Sequence, residues 1–100
     1  MPSKPIGLDS GLLNQIVASI CRHANVKRII LYGSRARGNF GRASDIDIAV
    51  KCEDDKDFIR NVIDDEVRTL LKLDIVNIAG ASENLRHEIE EDGIVLYEKA

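Results

Sequence analysis

Gly33-Ser34-Arg35-Ala36-Arg37-Gly38 and, after Asn39-Phe40-Gly41-Arg42-Ala43, Ser44-Asp45-Ile46-Asp47-Ile48 form the stretch that decides how this chain folds. Just ahead of it, Val26-Lys27-Arg28-Ile29-Ile30-Leu31-Tyr32 is rich in β-branched and aromatic residues and reads as a strand. Glycine at the strand's end permits a tight turn. Ser34–Gly38 then predicts the start of a short helix whose first amides point back at that turn. Ten residues separate Ser34 from Asp45. Asp45–Cys52 alternates acid and apolar residues, then runs through Ile48-Ala49-Val50, which predicts a second strand buried on at least one face. Backbone amides and a hydroxyl can hold phosphate oxygens, and paired carboxylates can hold the metal that neutralises them. Phosphoryl-type chemistry on a nucleotide needs both.

Working outward, Leu8, Leu12, Leu13, Ile16, Val17, Ile20 and Cys21 recur at helical spacing, with Asp9 or Ser10 as the expected cap. Asp54 or Asp55 is expected to cap a long helix through Leu71, with Ile59, Val62, Ile63, Val67, Leu70 and Leu71 on its inner stripe. Leu73 to Ile78 reads as a third strand. Ser82 can cap a helix bearing Leu85 and Ile89, Gly93 is expected to end it, and Ile94 to Tyr97 reads as a last strand. This order predicts an α/β fold, a small mixed β-sheet packed with helices.

At 100 residues and 11.1 kDa the chain is expected to form a single domain, residues 1–100. The N-terminus leads into an amphipathic segment rather than a long apolar run, and apolar stretches are far too short to span a bilayer. Cys21 and Cys52 each sit in an apolar pattern and are expected to be reduced core residues of a cytoplasmic protein.

The net charge is −3, but it is unevenly placed. From Ser10 to Ser44 there is no acid, whereas residues 45–100 hold sixteen acids against seven bases. A basic loop facing an acidic strand suits a triphosphate together with its metal. The acidic total argues against tight nonspecific nucleic-acid binding, which rests on lysine and arginine.

The turn at Gly33-Ser34 lacks the Gly-Lys-Ser/Thr ending of a P-loop, and no G-x-G-x-x-G occurs. Alone it reads as readily as a structural junction. Strand periodicity places Asp45 and Asp47 on one face, with Ile46 and Ile48 on the other. Like carboxylates that close repel unless a cation lies between them, which suggests a Mg²⁺ site. The pair alone reads equally well as a turn cap followed by a solvated strand residue. Asp74 is a third acid, interrupting the apolar strand Leu73-Asp74-Ile75-Val76. If that strand lies beside Asp45–Cys52, Asp74 can join the pair, ligate a second ion and accept a proton from an attacking hydroxyl.

These motifs together resemble the minimal nucleotidyltransferases (MNT domains) of the DNA-polymerase-β-like superfamily. The resemblance rests on Gly33-Ser34 with its Arg-Ala-Arg-Gly continuation, on Ser44-Asp45-Ile46-Asp47-Ile48 and on Leu73-Asp74-Ile75-Val76. The tail from Leu85-Arg86 to Tyr97-Glu98 is also similar to that family's closing helix and strand. The resemblance implies Mg²⁺-dependent transfer of a nucleoside monophosphate from a triphosphate to a hydroxyl, with release of pyrophosphate. Carried over by motif, Gly33 and Ser34 hold the triphosphate, Asp45 and Asp47 bind two metal ions, and Asp74 completes the catalytic and metal-binding triad. Arg35 and Arg37 could steady the phosphates or pair with nearby acids. Family members often carry another acid three residues after the strand Asp, where this chain has Asn77. Residues 74 and 77 are expected on opposite faces, so Asp74 is taken as the working acid.

MNT domains are commonly paired with small helical HEPN proteins, as antitoxin to a toxic ribonuclease, and add AMP to a tyrosine hydroxyl of the partner. The resemblance therefore implies ATP as substrate and a HEPN-type partner supplying the acceptor. The alternatives are a non-catalytic module that neutralises its partner by occlusion, and transfer to a small-molecule hydroxyl. Tyr32 and Tyr97 are expected at core edges and His23 beside helix-terminal carbonyls. His87 and the run Glu88, Glu90, Glu91, Asp92 are expected on a solvated face, the run with a possible use in docking a basic partner.

Overall fold

The computed structural model describes residues 10–38, 41, 44–52, 61, 67 and 72–99. Four strands, β1 Val26–Tyr32, β2 Ile46–Cys52, β3 Leu73–Asn77 and β4 Ile94–Glu98, form one sheet in the order β3-β2-β1-β4. β1 runs antiparallel to both β2 and β4, and β2 runs parallel to β3, so the sheet is mixed as expected. Three described helices accompany it: α1 Ser10–His23, α2 Gly33–Arg37 and α3 Glu83–Asp92. Leu8 and Asp9 lie outside the described residues, and Ser10 is the first residue of α1 rather than its cap. The helix expected from Asp54 or Asp55 to Leu71 also falls outside them, except for helical Asn61 and for Val67, whose side chain is buried in the core. None of the described helices is long and apolar enough to cross a membrane.

Strand alternation divides the core between the two faces of the sheet. On one, Ile29, Leu31, Ile46, Ile48, Val50, Leu73 and Ile75 pack with Ile16 and Ile20 from α1. On the other, Ile30, Tyr32 and Ala49 pack under α3 through Ile89, with Leu85 and Val76 at its margin. Ile48, Ala49 and Val50 are all fully buried, so the centre of β2 is covered on both faces. Neither Cys21 nor Cys52 is in a disulfide; Cys52 is buried and Cys21 partly so.

The ends of α3 set its seat on the sheet. Ser82 Oγ accepts a 3.2 Å hydrogen bond from the Leu85 amide, as its residue type predicts for an N-cap. Gly93 does end the helix, but not by the left-handed turn that glycine commonly provides there, since its φ is −66°. Its reason is space: a Cβ at Gly93 would collide with the Ile89 carbonyl and lie 2.6 Å from Ile30 Cγ2. Helix α3 can therefore pass straight into β4 while Ile89 stays pressed onto Ile30. Burial of an isoleucine at such a seat contributes about 1.5–3 kcal/mol.

Candidate active site

The site lies where β1 ends and β2 and β3 begin. Register pairs Tyr32 with Asp47 across β1 and β2, and Asp47 with Asp74 across β2 and β3. Paired residues point to the same face, with neighbouring strands about 4.8 Å apart, so Tyr32, Asp47 and Asp74 make one row across the sheet. The next row inward is Ile30, Ala49 and Val76, beneath Leu85 and Ile89 of α3. A polar row thus sits at the rim of an apolar floor.

Asp45 stands exposed, one residue before β2. The intervening Ile46 is fully buried on the opposite face, which turns Asp45 toward the same side as Asp47. The expected strand thus starts one residue later than its alternation suggested. Asn77 pairs with Val50 instead, near the far end of β2, where its Nδ2 donates to the Cys52 carbonyl at 2.9 Å and its Oδ1 accepts from the Ala79 amide at 3.1 Å. Asn77 fastens β3 to β2 and starts the 3₁₀ turn Ile78–Gly80. The acid beside Asp47 is Asp74.

Helix α2 begins directly on β1, and Gly33 carries the bend with a φ of +79°. A Cβ at Gly33 would overlap Asp47 Oδ2 and lie 3.1 Å from the carboxyl carbon. The turn and the β2 carboxylate are therefore packed directly together. Ser34 is half-buried and its carbonyl accepts from the Gly38 amide at 3.0 Å, closing the helix.

The electrostatics show how many anions converge here. Burial, then the Asp74, Asp45 and Glu88 carboxylates, push the Asp47 carboxyl above its usual range, with Arg37 opposing. Tyr32 is pushed up to about 12, by burial first and then by Asp47, Asp74 and Glu88. Among the described residues, no three His, Cys, Asp or Glu side chains are grouped closely enough to hold a metal ion by themselves. The donor set still fits Mg²⁺, which takes one or two carboxylates and completes its shell with water and substrate phosphates. The raised Asp47 carboxyl is what a shared divalent cation would relieve.

The two arginines differ. Arg37 is on the surface, its Nη1 3.0 Å from Glu88 Oε1 and 3.7 Å from Asp92 Oδ2. Arg35 is only 1% exposed, and its Nε and Nη2 donate to the Ser44 carbonyl at 3.2 and 2.9 Å. Arg35 is thus turned into the protein toward a backbone carbonyl rather than out to solvent as Arg37 is. Sequence reasoning missed Tyr32 and Glu88 as neighbours of the carboxylates. Strand register places Tyr32 there and the docking of α3 places Glu88, and neither can be read from one chain. His87, expected on a solvated face, is exposed there and lies 2.9 Å from Glu91 Oε1.

Comparison with known proteins identifies the family. The family described as Polymerase beta, Nucleotidyltransferase matches the chain over residues 14–100. A Methanocaldococcus jannaschii protein provisionally named a protein adenylyltransferase is 39% identical over 82 residues, covering 72% of this chain and 79% of that one. The protein adenylyltransferase MntA of Aphanizomenon flos-aquae is 34% identical over 87 residues, 74% of this chain but 58% of the relative, so under two thirds of its length is spanned. A chain of a toxin–antitoxin crystal structure with AMP-PNP superposes with a TM-score of 0.73 at 26% identity, covering 87% of this chain and 73% of that one. With Asp47 and Asp74 side by side against the Gly33 turn and a family match across most of the sequence, the chain belongs to the polymerase-β-type nucleotidyltransferases.

Proposed function

We infer that this nucleotidyltransferase moves AMP from ATP to a tyrosine hydroxyl of a HEPN-type partner protein, and that the modification makes it an antitoxin. The observation that carries this reading is the register of Asp47 beside Asp74 with the Gly33 turn packed on Asp47. The adenylyltransferase names of the sequence relatives and the toxin–antitoxin complex with an ATP analogue support the choice of AMP and of a toxin as acceptor.

Asp45 and Asp47 would hold two Mg²⁺ ions, with Asp74 on the second. Bound there, the ions supply neutralising charge for the triphosphate and for the pyrophosphate that leaves. The Gly33-Ser34 turn brings backbone and hydroxyl donors against the same carboxylates, and Arg37 lies at the edge of the group, where it can trade its acid partners for phosphate oxygens. Asp74 accepts the proton of the acceptor hydroxyl as its oxygen attacks the α-phosphorus. The bond from that phosphorus to the bridging α–β oxygen breaks, and pyrophosphate departs. Such chemistry belongs in the cytoplasm, where ATP and the toxin meet.

The test is co-expression of the partner with a variant carrying both Asp45→Asn and Asp47→Asn. The account expects the complex to form and protection from toxicity to be lost. Protection retained by that variant would instead show neutralisation by occlusion.

A further inference from the structure

We propose that Arg35 is a positioning residue for the metal-binding carboxylates, fixing the peptide that carries Asp45 through the carbonyl of Ser44. The proposal rests on Asp45 and Asp47 being the metal ligands, as read above.

Asp45 is the exposed member of the group and precedes the strand, so the β2 ladder alone does not hold it. Its backbone is nevertheless pinned on both sides. The Ile46 amide after it donates to the Lys72 carbonyl at 2.8 Å, tying it to the approach to β3. The Ser44 carbonyl before it takes the fork of Arg35 Nε and Nη2 at 3.2 and 2.9 Å. Ser44 is further held by Gly41, whose amide donates to Ser44 Oγ at 2.8 Å and whose carbonyl accepts the Ser44 amide at 3.2 Å.

Arg35 projects from α2, the helix whose first residue, Gly33, makes room for Asp47. One short helix therefore touches the supports of both carboxylates: Gly33 by contact with Asp47, Arg35 through the residue before Asp45. A guanidinium is a permanent charge, and burying one is costly unless its donors are matched. An apolar side chain of similar volume would fill the same space without that cost. What it could not do is hold a carbonyl by two converging N–H groups, which sets orientation as well as distance. Lysine, a flexible point charge without a planar fork, could not do so either. The arrangement accounts for an arginine at 35 that is 1% exposed and directed to a backbone oxygen.

The test uses Mn²⁺ alone as probe, with the free ion counted by electron paramagnetic resonance, on the wild type, Arg35→Met, Arg35→Lys and Asp45→Asn. Loss of a residue that orients a ligand weakens metal binding or activity by about 10-fold or more. Arg35→Met and Arg35→Lys should each weaken Mn²⁺ binding on that scale and lower kcat, with KM for ATP held within about twofold and activity partly recovered at high Mg²⁺. If Arg35→Met does not fold, Arg35→Lys alone decides by the same readings. Wild-type Mn²⁺ affinity in the folded variants would overturn the proposal, and a raised KM for ATP with that affinity unchanged would show that Arg35 contacts phosphate. If Asp45→Asn also leaves Mn²⁺ binding unchanged, the metal-site reading itself fails, whereas weakened binding there with unaltered Arg35 variants refutes only the proposal.

Discussion

Gly33 lies against Asp47 so closely that the carboxylate fills the space a side chain at 33 would need. The backbone there, with φ at +79°, is also one that residues other than glycine adopt at a cost of about 1–2 kcal/mol. Gly33→Ala should therefore displace Asp47 more than it unfolds the protein. The expected result is nucleotidyl transfer lower by about 100-fold, the scale set by misplacing a reacting group by an ångström. Thermal melting should show only a modest loss beside it. Kinetics on the purified variant check this, and activity within a few-fold of wild type would contradict it.

Asp47 is held among anions, and its neutral form is favoured by burial first and then by Asp74, Asp45 and Glu88. Its folded carboxyl takes up a proton more readily than the unfolded one. Without metal, the favourable contribution is thus full below the unfolded carboxylate pKa and is lost as pH rises through the raised folded value. Asp47→Asn should abolish activity yet raise the melting temperature in metal-free buffer at pH 7 by a few degrees, with the gain shrinking toward pH 3. Calorimetry at the two pH values, with chelator present, reads both the size and the sign.

Tyr32, next to Asp47 in the register, ionises only at about 12. The folded state keeps the phenol proton after the unfolded chain would lose it, so this stability is intact below pH 10 and drains away as pH rises toward 12. Ultraviolet absorbance titration of phenolate should show a late step that disappears in Tyr32→Phe. In Asp47→Asn the step should move to lower pH.

Asn77→Asp tests which acid works. The site acid is paired with Asp47 at 74, while Nδ2 of Asn77 serves the Cys52 carbonyl. A carboxylate at 77 would face that carbonyl with no proton to donate, at a cost of about 1–3 kcal/mol. The variant should melt earlier and keep its activity within about threefold, since substitutions outside the reacting groups remove no transition-state contact. A large gain in rate would reassign the acid.

Much of this was legible in the chain because local chemistry and periodicity pointed the same way. The Gly33 turn after an apolar strand, the alternation through Asp45 and Asp47, and the Ser82 cap follow from backbone preferences that act within a few residues. What stayed hidden depends on register and docking. Tyr32 reads as a core tyrosine until β1 pairs with β2, and Glu88 as a solvated acid until α3 settles on Ile30. Arg35 carries the same charge as Arg37 two positions away, yet one faces inward to a carbonyl and the other outward to Glu88. At Gly93 the residue was right for the place and the reason was different, close packing on Ile30 rather than a left-handed turn.

The most direct test of the central claim is intact-mass spectrometry of the HEPN-type partner after incubation with this protein, Mg²⁺ and ATP. The account predicts a mass gain of one or more AMP groups, absent with Asp47→Asn and removed from the product by Tyr→Phe substitution at the acceptor. An unmodified partner with each of the nucleoside triphosphates, in a complex that forms and protects, would contradict it.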